Sequence, residues 1–139
     1  MSDAPADKDW NIKFSTIFPL QDIQSLNEIE QRLSMDSEFK EKLAKRISSF
    51  RGLDDATFMK SSLDHLFSDN IGVLISFTGR KPSNAVEKKY AMKSSMLYKL
   101  ICVVGRCRFT HFSEEKTEKV TSSWLRHLID RLKRSAALL

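Results

Sequence analysis

Apolar residues recur along the chain at intervals of three and four, which is the spacing of one face of an α-helix. Leu26, Ile29 and Leu33 predict a first helix from about Ile23 to Leu33. Phe39, Leu43 and Ile47 predict a second over Ser37 to Phe50, capped by Asp36 and ended by Gly52. Asp54 or Asp55 opens a third with Phe58, Met59, Leu63, Leu66 and Phe67 inward. Ser68 then caps a short apolar helix, Ile71 to Ser76, that tolerates Gly72, and Thr78 to Lys89 reads as a polar loop. From Lys93 the residues Met96, Leu97, Leu100, Ile101, Val103 and Val104 run almost continuously, so this helix is expected to be buried on most of its circumference and closed by Gly105. Ser113 with Glu114 and Glu115 marks the start of a last helix reaching about Arg134. Trp124, Leu125, Leu128 and Leu132 share one side of it, with Val120 and Ile129 at the edges, while Lys116, Lys119, Arg126, Lys133 and Arg134 share the other.

Before the first helix the pattern changes. Trp10, Ile12 and Phe14 alternate with polar residues, the period of a short extended segment, and Pro19 biases Phe18 away from helix. Phe18 and Leu20 are expected to anchor this arm. Residues 1–13 are thus read as a disordered or extended tail, residues 14–135 as a single helical domain, and residues 136–139 as a C-terminal tail. The fold class is all-α, a compact bundle of five to six helices.

Composition narrows the function. With 139 residues, 41% hydrophobic and 29% charged, the chain has material for one core. No apolar run spans a bilayer and residues 1–9 do not resemble a signal peptide, so no membrane role is expected. The two cysteines, Cys102 and Cys107, are read as thiols. Charge is divided unevenly. Residues 1–70 hold 9 Lys or Arg against 13 Asp or Glu, a net of −4, and residues 71–139 hold 14 against 5, a net of +9. The second half therefore suits an anionic partner.

Candidate chemistry is sparse. Cys102, Cys107 and His111 form a Cys-x4-Cys-x3-His array, but zinc needs a fourth converging ligand and none is near in sequence, so core or incidental cysteines explain it better. Thr78-Gly79-Arg80-Lys81 lacks the glycine frame of a phosphate loop, and no nucleophile, base and carboxylate stand out together. Helix starts account for the acid pairs Asp54/Asp55 and Glu114/Glu115. The expectation is a protein without enzymatic activity, metal or cofactor. Arg131-Leu132-Lys133-Arg134 also reads as a weak nuclear-import cluster.

The stretch Leu66-Phe67-Ser68, a short apolar helix, Thr78-Gly79-Arg80-Lys81-Pro82-Ser83, the buried Leu97 to Val104 helix with Arg106-Cys107, and the segment from Ser113 onward resembles the BEN domain of chromatin and transcription proteins. A closer likeness is to a related insect domain of unassigned function, carried by Phe18-Pro19-Leu20, Leu26 to Leu33, Trp124-Leu125-Arg126-His127 and Asp130-Arg131. The resemblance covers about Ile17 to Arg134. It implies a nuclear module that binds double-stranded DNA through Arg80, Lys81, Lys116, Lys119, Ser122, Ser123, Arg126, Arg131, Lys133 and Arg134, alongside chromatin or transcription proteins as partners. The loop Asn84 to Lys89 is shorter than in DNA-binding BEN domains. The alternative is a protein-interaction or homodimerisation adaptor. Its motive is the apolar arm of Trp10, Ile12, Phe14, Ile17 and Phe18.

Overall fold

The computed structural model describes residues 4–72, 74–78 and 90–138, with side-chain surroundings for 9–72, 74–78 and 90–134. Among the described residues the fold is an all-α bundle of seven helices: α1 (Ala4–Ile17), α2 (Ile23–Met35), α3 (Ser37–Ser48), α4 (Asp55–Leu66), α5 (Asp69–Gly72), α6 (Met96–Arg108) and α7 (Glu114–Leu138). Local capping explains most of the starts. Asp22 accepts from the amide of Ser25, Asp36 from that of Phe39 and Ser95 from that of Tyr98. Asp54 and Thr57 close a reciprocal capping box at α4.

The first departure from expectation is α1. Trp10, Ile12 and Phe14 were expected in an extended segment, yet the chain is helical from Ala4 to Ile17. Trp10, Phe14 and Ile17 also stand at helical spacing, and the aromatic neighbours decide between the two periods. Trp10 meets Phe39 edge-on at 5.7 Å, and Phe14 packs on Phe18 at 4.8 Å and Phe50 at 6.3 Å. Leu20, fully buried, then bridges to Phe67: its amide donates to Leu66 O and its carbonyl accepts from Ser68 N. Phe18 and Leu20 thus anchor the N-terminal segment as expected.

Three further differences lie between α4 and the end of α6. Where one apolar helix was expected over Ile71 to Ser76, α5 is a single turn ending at Gly72, followed by β1 (Ile75–Ser76). The strand β1 pairs in parallel with β2 (Tyr90–Ala91), Ile75 opposite Tyr90. A Cβ on Gly72 would stand 2.4 Å from Leu128 Cδ2, so this glycine lets α5 lie directly against α7. Gly105, expected to close α6, instead lies inside it. The Phe112 ring occupies the space a side chain there would need, and the helix continues to Arg108. Val103 faces solvent and not the core. Phe58, Met59, Leu63 and Leu66 of α4 pack centrally with Leu97 and Ile101 of α6 and Trp124, Leu125 and Leu128 of α7.

Two charged side chains, Glu30 and Arg108, tie distant segments together. Glu30 of α2 accepts from the amides of Met96 at 2.7 Å and Leu97 at 2.9 Å, so an acid from another helix satisfies the first donors of α6. Burial, with the adjacent Glu30 charge and its hydrogen bond, pushes the Tyr90 hydroxyl up to about 12. Arg108, beyond the expected end of α6, donates to the carbonyls of Phe50 and Gly52.

Candidate nucleic-acid interface

Helix α7 positions the candidate residues. Ser113 caps it by accepting from the amide of Lys116, and its own amide donates to Asp55 Oδ2 at 2.7 Å. Asp55 also takes the amide of Ala56 at 2.8 Å and Lys116 Nζ at 2.7 Å on Oδ1, while its side chain is 2% exposed. Burial alone would raise this carboxyl. The hydrogen bonds from Lys116, Ser113 and Ala56 outweigh it and hold Asp55 below the ordinary carboxylate value. The same contact raises Lys116. Asp55 therefore does more than start α4; it fastens the beginnings of α4 and α7 to each other.

Trp124, Leu125 and Leu128 face inward as the amphipathic pattern requires. Trp124 packs edge-on against Phe67 at 6.2 Å, and its Nε1 donates to Asp64 Oδ1 at 2.7 Å. Lys116, Lys119, Arg126, Arg131, Lys133 and Arg134 are all exposed, and Ser122 and Ser123 are half-buried. The six cations consequently share the outward arc of one helix, but they are not equivalent. Lys116 is paired with Asp55, Lys119 with Glu115 at 3.5 Å and Arg131 with Asp69 at 3.1 Å. Arg126, Lys133 and Arg134 have no ion pair among the described residues. Arg80 and Lys81 lie outside the described residues.

The arc has two flanks that meet at Lys119. On one, Ser122, Arg126 and Lys119 line a cleft of about 530 Å³ with Phe77, Glu114, Glu115 and Glu118. On the other, Lys116, Lys119, Ser123, His127 and Arg131 line a groove of about 470 Å³ against Lys60 of α4, floored by Val120 and Trp124. Ser123 Oγ and His127 Nδ1 are 3.5 Å apart there. Sequence reasoning missed Lys60 and His127. Lys60 comes from the acidic half, and only the docking of α4 on α7 brings it to the basic helix.

The apolar arm is largely used by the fold itself. Phe14 and Phe18 are buried, Trp10 and Ile17 pack against the core, and Ile12 is exposed. Cys102 is buried in α6, where desolvation raises its thiol, and Cys107 is exposed. Among the described residues no three His, Cys, Asp or Glu gather to hold a metal, and no helix is long and apolar enough to cross a membrane.

No curated protein and no solved structure matches the chain. One family does, over a span that runs from the end of α1 into α6 and stops ahead of α7, so the cationic arc lies beyond the matched part. By that match, over residues 14–104, the chain belongs to the family described as a domain of unknown function, DUF4806.

Proposed function

We propose that this domain is a non-enzymatic module that binds double-stranded DNA, within a nuclear chromatin or transcription-regulating protein, and that α7 makes the contact. The observation that carries this reading is the exposed arc on which Arg126, Lys133 and Arg134 have no carboxylate partner among the described residues. A helix about 10–12 Å across fits a major groove about 12 Å wide. Lysines and arginines along it displace counterions from phosphates. The pairs at Lys119 and Arg131 are exposed, and such surface pairs exchange partners at little cost. Arg126 has the planar fork that guanine O6 and N7 accept. The resemblance to BEN domains supports the same surface, with Arg80 and Lys81 added from the loop.

Duplex binding followed by fluorescence anisotropy across a salt series tests the proposal. Arg126→Glu combined with Lys133→Glu should weaken binding and reduce the salt slope by about two, since each lost phosphate contact removes about one. Circular dichroism should stay unchanged. Equal affinity and slope in the double variant refute this surface.

The alternative, an adaptor that pairs two copies or docks a protein, draws little support from the N-terminal arm, because Phe14 and Phe18 are spent on the core. Light scattering over a concentration series separates the homodimer version, which requires mass to rise with concentration.

A further inference from the structure

The groove between α4 and α7 differs from the cleft on the other flank of α7 in both charge and floor. The cleft is lined by Glu114, Glu115 and Glu118 beside its two cations, so an anion entering it meets three carboxylates. The groove is rimmed by Lys60, Lys116, Lys119, His127 and Arg131, and no carboxylate lines it among the described residues. Its floor is apolar, formed by the half-buried Val120 and the small part of Trp124, 4% exposed, that reaches the surface; the only polar side-chain atom of Trp124 is already committed to Asp64. Long cationic side chains over such a floor present aliphatic stems inward and charges at the rim.

We infer that this groove docks an acidic peptide segment of another protein, with one bulky apolar side chain on Val120 and Trp124 and flanking carboxylates on Lys60, Lys119 and Arg131. Charge complementarity argues for an anionic occupant, and the floor chooses a peptide over a phosphate backbone. Lys119 and Arg131 hold the carboxylates of Glu115 and Asp69 in exposed pairs, which an incoming carboxylate replaces at little cost, whereas Lys116 stays with the buried Asp55. A duplex backbone is convex and has no apolar group to set on the floor, whereas a leucine or phenylalanine side chain does. Lys60 is exposed and has no ion pair among the described residues, which leaves it available to an incoming carboxylate. The groove shares Lys119 and Arg131 with the arc proposed for duplex binding, whereas Lys60 belongs to the groove alone and Arg126 and Lys133 to the duplex surface alone.

Trp124 provides the readout. The chain has two tryptophans, so in the full chain carrying Trp10→Phe the emission comes from the groove floor alone. The probe is a synthetic peptide set in which a central leucine or phenylalanine is flanked by aspartates and glutamates. A saturable shift of Trp124 emission is expected, with affinity falling at least tenfold in Lys60→Glu, and by less in Lys60→Gln. Replacing the central apolar residue by serine should cost a similar factor, and Arg126→Glu should leave peptide affinity unchanged. No saturable shift with any peptide of the set, or equal affinity in Lys60→Glu, overturns the inference. So does a Lys60-dependent shift produced only by a short DNA duplex, which would make the groove a phosphate track. Concentration-dependent self-association abolished by Lys60→Glu would overturn it too, giving the groove to the acidic half of a second copy. Anisotropy of labelled duplex with the Arg126 and Lys133 variants reports separately on the DNA proposal.

Discussion

Replacing Asp55 by asparagine probes the junction on which the bearing of α7 depends. The carboxylate is 2% exposed and receives two backbone amides, from Ser113 at 2.7 Å and Ala56 at 2.8 Å, besides the ammonium of Lys116. Hydrogen bonds to a charged acceptor contribute about 1.5–3 kcal/mol each, and asparagine keeps one acceptor oxygen while turning an NH2 towards the other donor. Lys116 is exposed, so its share is screened and adds little. The variant should therefore lose about 2–4 kcal/mol at neutral pH. With a urea slope of about 1–3 kcal/mol per molar, the unfolding midpoint followed by circular dichroism should fall by roughly 1–2 M. The pH dependence gives a sharper test. Asp55 is held below the ordinary carboxylate value in the fold, so its contribution is complete above the unfolded pKa and is lost as pH falls through the lower folded value. The gap between wild type and Asp55→Asn should be constant from pH 5 to 7 and close under acid, once the wild-type carboxyl is protonated. A gap that persists unchanged below pH 3, or no gap at pH 7, refutes the reasoning.

Two further substitutions test the packing of α7. Gly72→Ala puts a methyl group 2.4 Å from Leu128 Cδ2, and overpacking of this kind should cost about 1–3 kcal/mol, read as a lowered thermal midpoint. Trp124→Ala removes the ring packed on Phe67 and leaves Asp64 without its indole donor, so a loss of about 3–5 kcal/mol is expected in chemical denaturation. A folded Trp124→Ala protein of near wild-type stability would mean the indole is not part of the core.

What the sequence disclosed was what neighbouring residues decide. Asp36, Asp54 and Ser113 cap helices a few residues away, and the stripes of α2, α3, α4 and α7 face the core as their spacing requires. The errors fall where a partner distant in sequence makes the choice. Trp10, Ile12 and Phe14 fit two periods, and contact with Phe39 and Phe50 selects the helix. The two-residue pairing of β1 with β2 is too short to leave a pattern. Among the cations the arc of α7 was legible from its periodicity. That Lys116, Lys119 and Arg131 are held by carboxylates, and that Lys60 joins them, required the docked bundle.

The hold of Glu30 on the amides of Met96 and Leu97 spans 66 and 67 residues of chain. Without α2 in place the amides of Met96 and Leu97 lose their acceptor and only the Ser95 cap remains at the start of α6, and α7 in turn rests on α4 and α5. The negatively and positively charged halves therefore cannot be cut apart into independently stable fragments: a truncation that keeps only the cationic portion discards the acid that lets its central helix begin.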